Sequence, residues 1–458
     1  MENNCAVILS AGDGKRMKSA KPKALCEVAL KPMLSWVISS CESANISDLC
    51  LVTGSGSDFI ENYYNNQYET AFQAERKGTG HAVLMAEKFL KKFSDGQVLI
   101  LCGDAPFIDA DTITRAYNQH TEQKNAATII TANLPDPTGY GRIIRTANGV
   151  SGIVEQKDAT ESQKAINEIN SGAFWFNVSD LLSILGKLSS DNSQNEYYLT
   201  ETIELLNKEN KNVNAFISDN ADVVLGANDR KTLHELNEIA RKKIFEKHFE
   251  NGVDIPCTDG IIISPDVKIG ADTTILPNTI LSGNTVIGQC CKIGPSSCVS
   301  DSVLGDNVTL NATQVYESKI HSDVKIGPFS HVRPNSEIKS GVKIGDFVEI
   351  KNSVIDEKTS VSHLTYIGDS DVGKGVNFGC GTVTVNYDGV NKYRTTIGDN
   401  CFIGCNTNLI SPVKLGDYAY TAAGSTINQD VPDGALAIAR SKQEIKPDYA
   451  FKKLNCEK

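Results

Sequence analysis

Hydrophobic residues recur at every sixth position over much of the chain from about residue 261 onward. The members of this series are Ile269, Ile275, Leu281, Ile287, Ile293, Val299, Ile326, Val332, Ile338, Ile344, Ile350, Ile397, Ile403, Leu409 and Leu415. Glycine follows many of them, as in Ile269-Gly270 and Ile344-Gly345. A period this short, held over this length, is typical of a parallel β-helix in which each hexapeptide supplies one strand. The first half of the chain does not repeat, so we predict two domains with different architectures.

The repeat also predicts the length of the β-helix and a loop within it. Three hexapeptides make one coil, so residues 251–440 predict about ten coils, roughly 48 Å of stack at the spacing of neighbouring strands. The period shortens by one residue at Val299 to Leu304, Ile350 to Ile355 and Ile367 to Val372. It breaks between Phe378 and Ile397, which predicts that residues near 380–394 leave the stack as a loop. Loops on a rigid solenoid commonly carry functional residues.

The first half of the sequence alternates strand-like and helix-like segments. Short apolar runs at 6–9, 49–53 and 98–102 are separated by amphipathic stretches, which predicts an α/β domain with a mainly parallel sheet. Residues 229–250 place leucines and isoleucines at helical spacing among charges, without Gly or Pro. They predict one connecting helix of about five to six turns. We therefore divide the chain into 1–228, a helical linker at 229–250, and 251–458.

Charge and composition argue against several classes of protein. The 458 residues carry a formal net charge of -11, with both signs interspersed, which argues against nucleic-acid binding driven by bulk charge. No run of 18 apolar residues is present and the N-terminal segment lacks the basic start of a secretory signal, so we expect neither a membrane span nor export. The thirteen cysteines are scattered without metal-ligand spacing, which favours reduced thiols in the cytoplasm.

A glycine-rich turn carries the strongest chemical signal of the first half. The stretch Leu9-Ser10-Ala11-Gly12-Asp13-Gly14-Lys15-Arg16-Met17 follows a predicted strand, and Pro22-Lys23 comes shortly after. Backbone N–H groups of such a turn can cradle phosphate oxygens, and Arg16 and Lys23 add positive charge against a polyphosphate. The stretch fits neither the Walker pattern nor the dinucleotide-binding pattern. It resembles the L-x-A-G-x-G-x-R-M…P-K signature of sugar-nucleotide pyrophosphorylases.

Further segments match the same family in order along the chain. They are Gln73-Ala74-Glu75, Gly78-Thr79-Gly80-His81, Gly103-Asp104, Gly139-Tyr140-Gly141-Arg142, Glu155, Asn170 and Asn228. Together with the hexapeptide half, the sequence resembles the bacterial family of bifunctional N-acetylglucosamine-1-phosphate uridylyltransferases / glucosamine-1-phosphate N-acetyltransferases over residues 1–440. The resemblance implies a Rossmann-like α/β nucleotidyltransferase domain, a left-handed parallel β-helix, small-molecule substrates and a homotrimer.

For the first domain, the resemblance implies uridylyl transfer from UTP to N-acetylglucosamine-1-phosphate, with Mg²⁺ as the metal and Arg16 and Lys23 as catalytic residues. The implied substrate-binding residues are Leu9, Ser10, Ala11, Gly12, Lys23, Gln73, Gly78, Thr79, Gly141, Glu155, Asn170 and Asn228. A carboxylate at the end of a strand suits Mg²⁺, which favours Asp104 as a metal ligand. Asn228 is the second metal ligand by resemblance alone. Many relatives carry an aromatic residue where this chain has Cys102.

For the second domain, the resemblance implies acetyl transfer from acetyl-coenzyme A to glucosamine-1-phosphate. Such a transfer needs a group that takes the amine proton, and histidine suits this role near neutral pH; His363 matches the general base of the family. Glu349 lies on the same face of its strand as Lys351, and we expect Glu349 to orient His363. The implied sugar-phosphate residues are Arg333, Lys351, Tyr366 and Asn377. The implied acetyl-coenzyme A residues are Cys380, Asn386, Tyr387, Cys405, Ala423 and Arg440.

The resemblance therefore implies a two-step synthesis of UDP-N-acetylglucosamine, a precursor of cell-envelope polysaccharide in bacteria. One alternative is a pyrophosphorylase for another sugar, such as glucose-1-phosphate, with a regulatory or structural repeat domain. The combination of His363, Arg333 and Lys351 argues against it, because a structural β-helix needs none of them. A second alternative is a nucleotide-sensing scaffold, against which the metal pair Asp104 and Asn228 argues.

Overall fold

The computed structural model describes residues 3–12, 14–146 and 149–454. The chain forms two compact units, Met1–Ala240 and Arg241–Lys458. Asp13 of the predicted glycine turn lies outside the described residues. Within the described ranges, no helix combines the length and apolar character that a membrane crossing requires.

A mixed β-sheet forms the centre of the first unit. The described strands of this unit are β1 (Asn4–Leu9), β2 (Glu27–Val28), β3 (Lys31–Pro32), β4 (Asp48–Thr53), β5 (Glu69–Phe72), β6 (Gln97–Cys102), β7 (Ala127–Asn133), β8 (Arg142–Thr146), β9 (Gly149–Val154), β10 (Glu168–Asn177) and β11 (Val213–Ile217), of which β2 and β3 form a separate two-stranded sheet. Neighbouring strands follow the order β11-β7-β10-β6-β1-β4-β5, with β10 antiparallel to β6 and β7 and the other pairs parallel. The β8–β9 hairpin joins β10, and β2 pairs with β3. The parallel pairs confirm the predicted α/β class.

Helices cover both faces of this sheet. The described helices of the chain are α1 (Met33–Ser43), α2 (Ser57–Tyr63), α3 (Thr79–Met85), α4 (Glu87–Leu90), α5 (Ala110–Glu122), α6 (Glu161–Lys164), α7 (Val178–Leu185), α8 (Glu201–Lys208), α9 (Arg230–Glu250) and α10 (Tyr449–Leu454), with short 3-10 turns at Lys15–Met17, Lys23–Leu25, Lys91–Phe93 and Ala221–Val224. Val7 and Ile100 belong to one buried cluster, whereas Ile8 and Leu101 belong to another. Both faces of the central strands are therefore buried, which explains their continuous apolar runs.

The helix predicted over 229–250 corresponds to α9. Asp229 caps its first turn, because Asp229 Oδ1 accepts a hydrogen bond of 2.9 Å from Thr232 N. The division between the two compact units falls within this helix. The domain boundaries at 228 and 250 therefore remain a prediction from sequence.

Three parallel sheets form the second unit. Sheet I contains Ile262–Ile263, Ile280–Ser282, Cys298–Ser300, Gln314–Tyr316, His331–Val332, Glu349–Lys351, Tyr366–Gly368, Val383–Val385, Asn408–Ile410 and Thr426–Ile427. Sheet II contains Lys268–Ile269, Val286–Ile287, Val303–Leu304, Lys319–Ile320, Glu337–Ile338, Val354–Ile355, Ser370–Val372, Thr395–Ile397 and Val413–Leu415. Sheet III contains Thr274–Ile275, Lys292–Ile293, Thr309–Leu310, Lys325–Ile326, Lys343–Asp346, Ser360–His363, Asn377–Phe378, Phe402–Ile403, Tyr420–Thr421 and Leu436–Ala437. This is the left-handed β-helix class formed by hexapeptide repeats, as predicted.

The aliphatic residue of each hexapeptide faces the interior of the β-helix. Every member of the six-residue series is at most 8% exposed. The three predicted shortenings are confirmed, since Leu304, Ile355 and Val372 all pair into sheet II. Two further shortenings, which lead to Val315 and Ile320, were missed by the sequence analysis, although both residues are buried and paired in register.

The loop that leaves the β-helix is shorter than predicted. Val383–Val385 is a strand of sheet I, so the stack continues past Phe378 and the chain leaves it at 386–394. The prediction was wrong by several residues because Thr384, which is fully buried, occupies the inward position of its hexapeptide. A polar residue at that position interrupts the hydrophobic pattern without interrupting the fold.

Candidate active sites

The glycine turn follows β1 at the carboxyl end of the sheet. Gly103 N donates a hydrogen bond of 2.9 Å to Leu9 O, which ties the turn to the neighbouring strand. Gly14 has φ of +57°, and a Cβ there would lie 2.8 Å from the Cβ of Lys23. The cavity in front of the turn has a volume of about 190 Å³ and is lined by Ser10, Ala11, Gly12, Ser19, Ala20, Lys21, Pro22, Gly54, Ser55, Gly56 and Phe59. This arrangement fits a backbone cradle for phosphate groups.

Lys23 joins the two predicted metal ligands. Its ammonium group contacts the Asp104 carboxylate and lies 2.9 Å from Asn228 Oδ1. The fold thus brings the residues after β6 and before α9 to one point. Two oxygen atoms converge there on a positive charge, which is the kind of environment that Mg²⁺ requires. Asp104 and Asn228 therefore fit the predicted metal. Arg16, the other predicted catalytic residue, lies in the turn with an exposed side chain.

Gln73 and Thr79 stabilise a segment that the resemblance implies binds the substrate. Gln73 Nε2 donates to Gly78 O at 3.2 Å, and Thr79 Oγ1 accepts from Leu199 N at 3.0 Å. Gly78 has φ of +104°, and a Cβ there would lie 2.5 Å from Tyr197 O. Glycine is therefore required at position 78 by both its backbone conformation and its close neighbour.

Gly141, Glu155 and Asn170, which the resemblance implies bind the sugar, form one cluster. Asn170 N donates to Gly141 O at 2.9 Å, and a Cβ on Gly141 would lie 3.3 Å from Glu155 Oε1. Glu155 Oε1 accepts a hydrogen bond of 3.4 Å from Thr200 Oγ1. Burial raises the pKa of the Glu155 carboxyl above its ordinary value. The hairpin β8–β9 and strand β10 bring these distant positions together.

Cys102 ends β6 beside a bulge in β10. Its Sγ lies 3.7 Å from Gly172 O, and a Cβ on Gly172 would lie 2.9 Å from that sulfur. Burial raises the pKa of the Cys102 thiol to about 12, so the thiol is uncharged at neutral pH. Cys102 is therefore a packing residue next to the bulge that contains Asn170.

His363 ends a strand of sheet III, and Asp346 stands beside it on the preceding coil. The backbone register pairs these two residues, and His363 Nδ1 lies 3.1 Å from Asp346 Oδ1. With Nδ1 facing a carboxylate, Nε2 is available to accept a proton. The prediction that Glu349 orients His363 was wrong, because Glu349 lies in sheet I, where its Oε1 is 2.8 Å from Arg333 Nη1.

Asp369 is a site residue that the sequence analysis missed. Its buried carboxylate accepts hydrogen bonds from Asn352 Nδ2 at 2.5 Å, from Lys351 Nζ at 3.2 Å and from Asn386 Nδ2. Burial alone would raise the pKa of this carboxyl, but the three donors lower it below its ordinary value. Asp369 thereby fixes two predicted binding residues, Lys351 and Asn386. A single aspartate in a turn after a strand has no distinguishing signal in the sequence.

Positions two residues after the inward side chain form a column along one edge of the β-helix. Strand register stacks Ile344, Val361, Phe378, Ile403 and Thr421 on successive coils. The column consists of Asp346, His363, Cys380, Cys405 and Ala423. Three residues that the resemblance assigns to acetyl-coenzyme A therefore lie on the coils that follow His363.

Two protein-family models match the chain. The model described as nucleotidyl transferase matches residues 5–227, and the bacterial transferase hexapeptide (six repeats) model matches 260–301, 317–352 and 394–429. The protein named bifunctional protein GlmU from Acetivibrio thermocellus is 50% identical over 454 residues, which are 99% of this chain and 98% of that protein. A protein of the same name from Caldanaerobacter subterraneus subsp. tengcongensis is 48% identical over 455 residues, 99% of each chain. The chain belongs to the bifunctional GlmU family.

Membership of the GlmU family makes the chain a bifunctional transferase, with a nucleotidyltransferase unit followed by a hexapeptide-repeat transferase unit. Among solved structures, a putative glucose-1-phosphate thymidylyltransferase from Bacillus anthracis, in complex with a sucrose, matches 52% of this chain and 95% of its own, with a TM-score of 0.43 and 18% identity. A likeness at that level carries no argument about function.

The remaining predicted residues of this GlmU-family chain lie in several places within the second unit. Tyr366 lies in sheet I between Glu349 and Val383. Asn377 is exposed on sheet III, apart from the sheet I residues. Tyr387 lies in the 386–394 loop, where its hydroxyl donates to Gly389 O at 2.6 Å. Arg440 is exposed after the last strand of sheet III.

Proposed function

We propose that this chain makes UDP-N-acetylglucosamine in two steps. The second unit transfers the acetyl group of acetyl-coenzyme A to glucosamine-1-phosphate. The first unit then transfers the uridylyl group of UTP to the product and releases pyrophosphate. Membership of the GlmU family over 99% of the chain carries this proposal, and the two clusters of functional side chains support it.

The first unit has the groups that uridylyl transfer needs. A phosphate oxygen of the sugar attacks the α-phosphorus of UTP, and both reactants are anions whose repulsion must be reduced. The glycine turn offers backbone donors, and Arg16 and Lys23 supply positive charge. Asp104 and Asn228 would hold Mg²⁺, which adds charge against the phosphates when bound.

The second unit has the groups that acetyl transfer needs. As the amine nitrogen attacks the thioester carbonyl, a new C–N bond forms, the C–S bond breaks, and the amine loses a proton. His363 accepts this proton at Nε2, and the Asp346 carboxylate stabilises the resulting imidazolium. Arg333 and Lys351 bind the sugar phosphate, together with Tyr366 and Asn377. Acetyl-coenzyme A lies along the column that contains Cys380, Cys405 and Ala423, in contact with Asn386, Tyr387 and Arg440.

A homotrimer in the cytoplasm is part of this proposal. Phe329 and Phe347 stack at 5.5 Å between ring centroids, yet they are 62% and 56% exposed, which supports contact with another chain. The described cysteines are free, which supports a reducing compartment. Analytical ultracentrifugation tests the assembly, because a trimer has three times the chain mass of 49.5 kDa.

A paired assay on the wild type, His363→Ala and Asp104→Ala tests the proposed function. Thiol release from acetyl-coenzyme A with glucosamine-1-phosphate is measured separately from pyrophosphate release from UTP with N-acetylglucosamine-1-phosphate. We expect each substitution to abolish its own reaction and to leave the other intact. Wild-type protein that releases pyrophosphate but no thiol would instead favour the single-function pyrophosphorylase.

A further inference from the structure

The fold places Cys380 and Cys405 at equivalent positions on adjacent coils. Phe378 and Ile403 pair in register, and each cysteine follows its strand residue by two positions. The hydrogen bond from Asn406 N to Cys380 O, 2.7 Å long, keeps the two coils in step beyond the strands. Adjacent coils are about 4.8 Å apart, which lies within the Cα–Cα range of about 4.4–6.8 Å that a disulfide spans.

The surroundings of this pair leave both thiols open to reagents. Cys405 is exposed and Cys380 is partly exposed, and both are free. Glycine precedes each of them, and a Cβ on Gly379 would lie only 2.4 Å from Cys405 N, so the backbones approach closely here. By contrast, the neighbouring Cys401 is buried, and burial raises the pKa of its thiol.

We propose that Cys380 and Cys405 form a modification site at which peroxides produce an intrachain disulfide. One thiol loses its proton, and the thiolate attacks an oxygen of hydrogen peroxide; the S–O bond of a sulfenic acid forms, the O–O bond breaks, and the departing hydroxide takes up the thiol proton to leave as water. The second thiol also loses its proton, and its thiolate attacks the sulfenic sulfur; the S–S bond forms, the S–O bond breaks, and the displaced hydroxide takes up that proton to leave as a second water. The two thiols lose two electrons in total and the peroxide gains them, so no other reactant is needed.

The disulfide lies in the column directly beyond His363. If acetyl-coenzyme A lies along this column, as the proposed function has it, the bridge draws two cofactor-contacting side chains together and changes the surface on which the thioester rests. Oxidation then slows acetyl transfer. The first unit has no part in this change, so uridylyl transfer continues.

Peptide mapping of the full-length protein tests the site without reference to activity. Reduced protein is treated with hydrogen peroxide under native conditions, the remaining thiols are alkylated, and the digest is analysed by mass spectrometry. We expect a linked peptide that joins Cys380 to Cys405 and that disappears on treatment with dithiothreitol. Cys405→Ser must lose the linked peptide, whereas Cys290→Ser, which removes an exposed thiol elsewhere, must retain it. Separate oxidation of the two cysteines to sulfinic or sulfonic acids, without a linked peptide, overturns the proposal.

The two activities of the same oxidised sample test the consequence. We expect acetyl transfer to fall about tenfold or more and to recover with dithiothreitol, while pyrophosphate release stays unchanged. Cys405→Ser should lose this sensitivity relative to its own untreated activity. A linked peptide with undiminished acetyl transfer overturns the link between the column and the cofactor. If the reduced wild type releases no thiol from acetyl-coenzyme A, the proposed function itself is wrong. The linked peptide would still identify the modification site in that case.

Discussion

The carboxylate of Asp346 orients the imidazole of His363. Its Oδ1 lies 3.1 Å from Nδ1 of the exposed imidazole. We expect Asp346→Ala to lower kcat for acetyl transfer about tenfold, a part of the 10²- to 10⁴-fold contribution of a positioned general base. Uridylyl transfer should be unchanged, and Asp346→Asn, which can still accept a hydrogen bond, should recover part of the loss.

Glu349→Gln is the matched control for this prediction. Glu349 pairs with Arg333 rather than with His363, so its substitution should change KM for glucosamine-1-phosphate more than kcat. If Glu349→Gln lowered kcat as strongly as Asp346→Ala, the assignment of Asp346 as the positioning residue would be wrong.

The resemblance to the family was enough to propose His363, Lys23 and Asp104 as site residues, but it did not give the partners of His363 and Lys351. The error at Glu349 arose because a partner was chosen from another face of the β-helix, whereas the register pairs residues one coil apart on the same face, as in Asp346 and His363. Asp369 was missed because its importance comes from its burial and from three hydrogen-bond donors. The local sequence around Asp369 reveals neither its burial nor these donors, which come from other coils.

The 386–394 loop is held to the β-helix through Asn386 and the buried Asp369. Asp369→Ala removes this anchor and leaves the partly buried Lys351 ammonium without its carboxylate. We expect hydrogen exchange of the amides of 388–393 to speed up about tenfold, the equivalent of about 1.4 kcal/mol. Asp388→Ala, which removes hydrogen bonds inside the loop only, should speed exchange at Val390 and Asn391 alone.

The contribution of Asp369 also has a defined pH dependence. Its pKa in the folded protein is lowered relative to about 3.9 in an unfolded chain. Stabilisation by the carboxylate is therefore complete above about pH 4 and is lost as the pH falls through the lowered value. The difference in exchange protection between wild type and Asp369→Asn should be constant from pH 5 to 7 and shrink below pH 4. A difference that grows on acidification would contradict the direction of this shift.

Close packing of consecutive coils at Gly345 maintains the alignment of Asp346 with His363. A Cβ at this position would lie 1.9 Å from the backbone carbonyl oxygen of Ser362, so Gly345→Ala must push the two coils apart. We expect a loss of stability of about 1–3 kcal/mol with reduced acetyl transfer. Gly186→Ala is the control, because its φ of -75° suits alanine and the space around it is open. Thermal melting and both assays compare the two variants.

Sheet architecture was predictable where the pattern of inward residues was hydrophobic and unpredictable where it was not. The series from Ile269 to Val299 predicted its coils correctly. The strand Val383–Val385 was missed because Thr384 faces inward. The steps to Val315 and Ile320 were missed because two shortenings in succession remove the six-residue period that the prediction relied on. The prediction of the α/β half rested on strand-like runs in the sequence. The order of these strands in the sheet is known only from the structure.

For the whole molecule, the placement of Asn377 predicts how subunits share the acetyl-transfer site. Arg333 and Lys351 lie at the ends of sheet I strands, whereas Asn377 is exposed on sheet III of the same chain. If one site needs all three residues, different chains of the proposed trimer must supply them. Co-expressed Arg333→Ala and Asn377→Ala chains should therefore recover part of the acetyl transfer that each variant lacks alone.

Co-expression of Arg333→Ala with Lys351→Ala is the control for this complementation. Both residues lie on the same sheet of one chain, so they belong to one half of the site, and mixing these variants should restore nothing. Equal recovery in the two mixtures, or none in either, would mean that Asn377 does not act across a subunit boundary.

Because equivalent positions stack on successive coils, the side chains of one column are separated by fixed distances of one coil each. The distance from His363 to Cys405 or Ala423 is a whole number of coils, and Ile269 and Ile287 show the eighteen-residue length of one full step. Evolution can therefore lengthen or shorten the span between proton acceptor and cofactor only in whole steps, with single-residue corrections absorbed at corners such as that before Ile355. Relatives with the same architecture should therefore change their acyl donor by the insertion or deletion of complete coils. The residues that carry the chemistry on each remaining coil would then be unchanged.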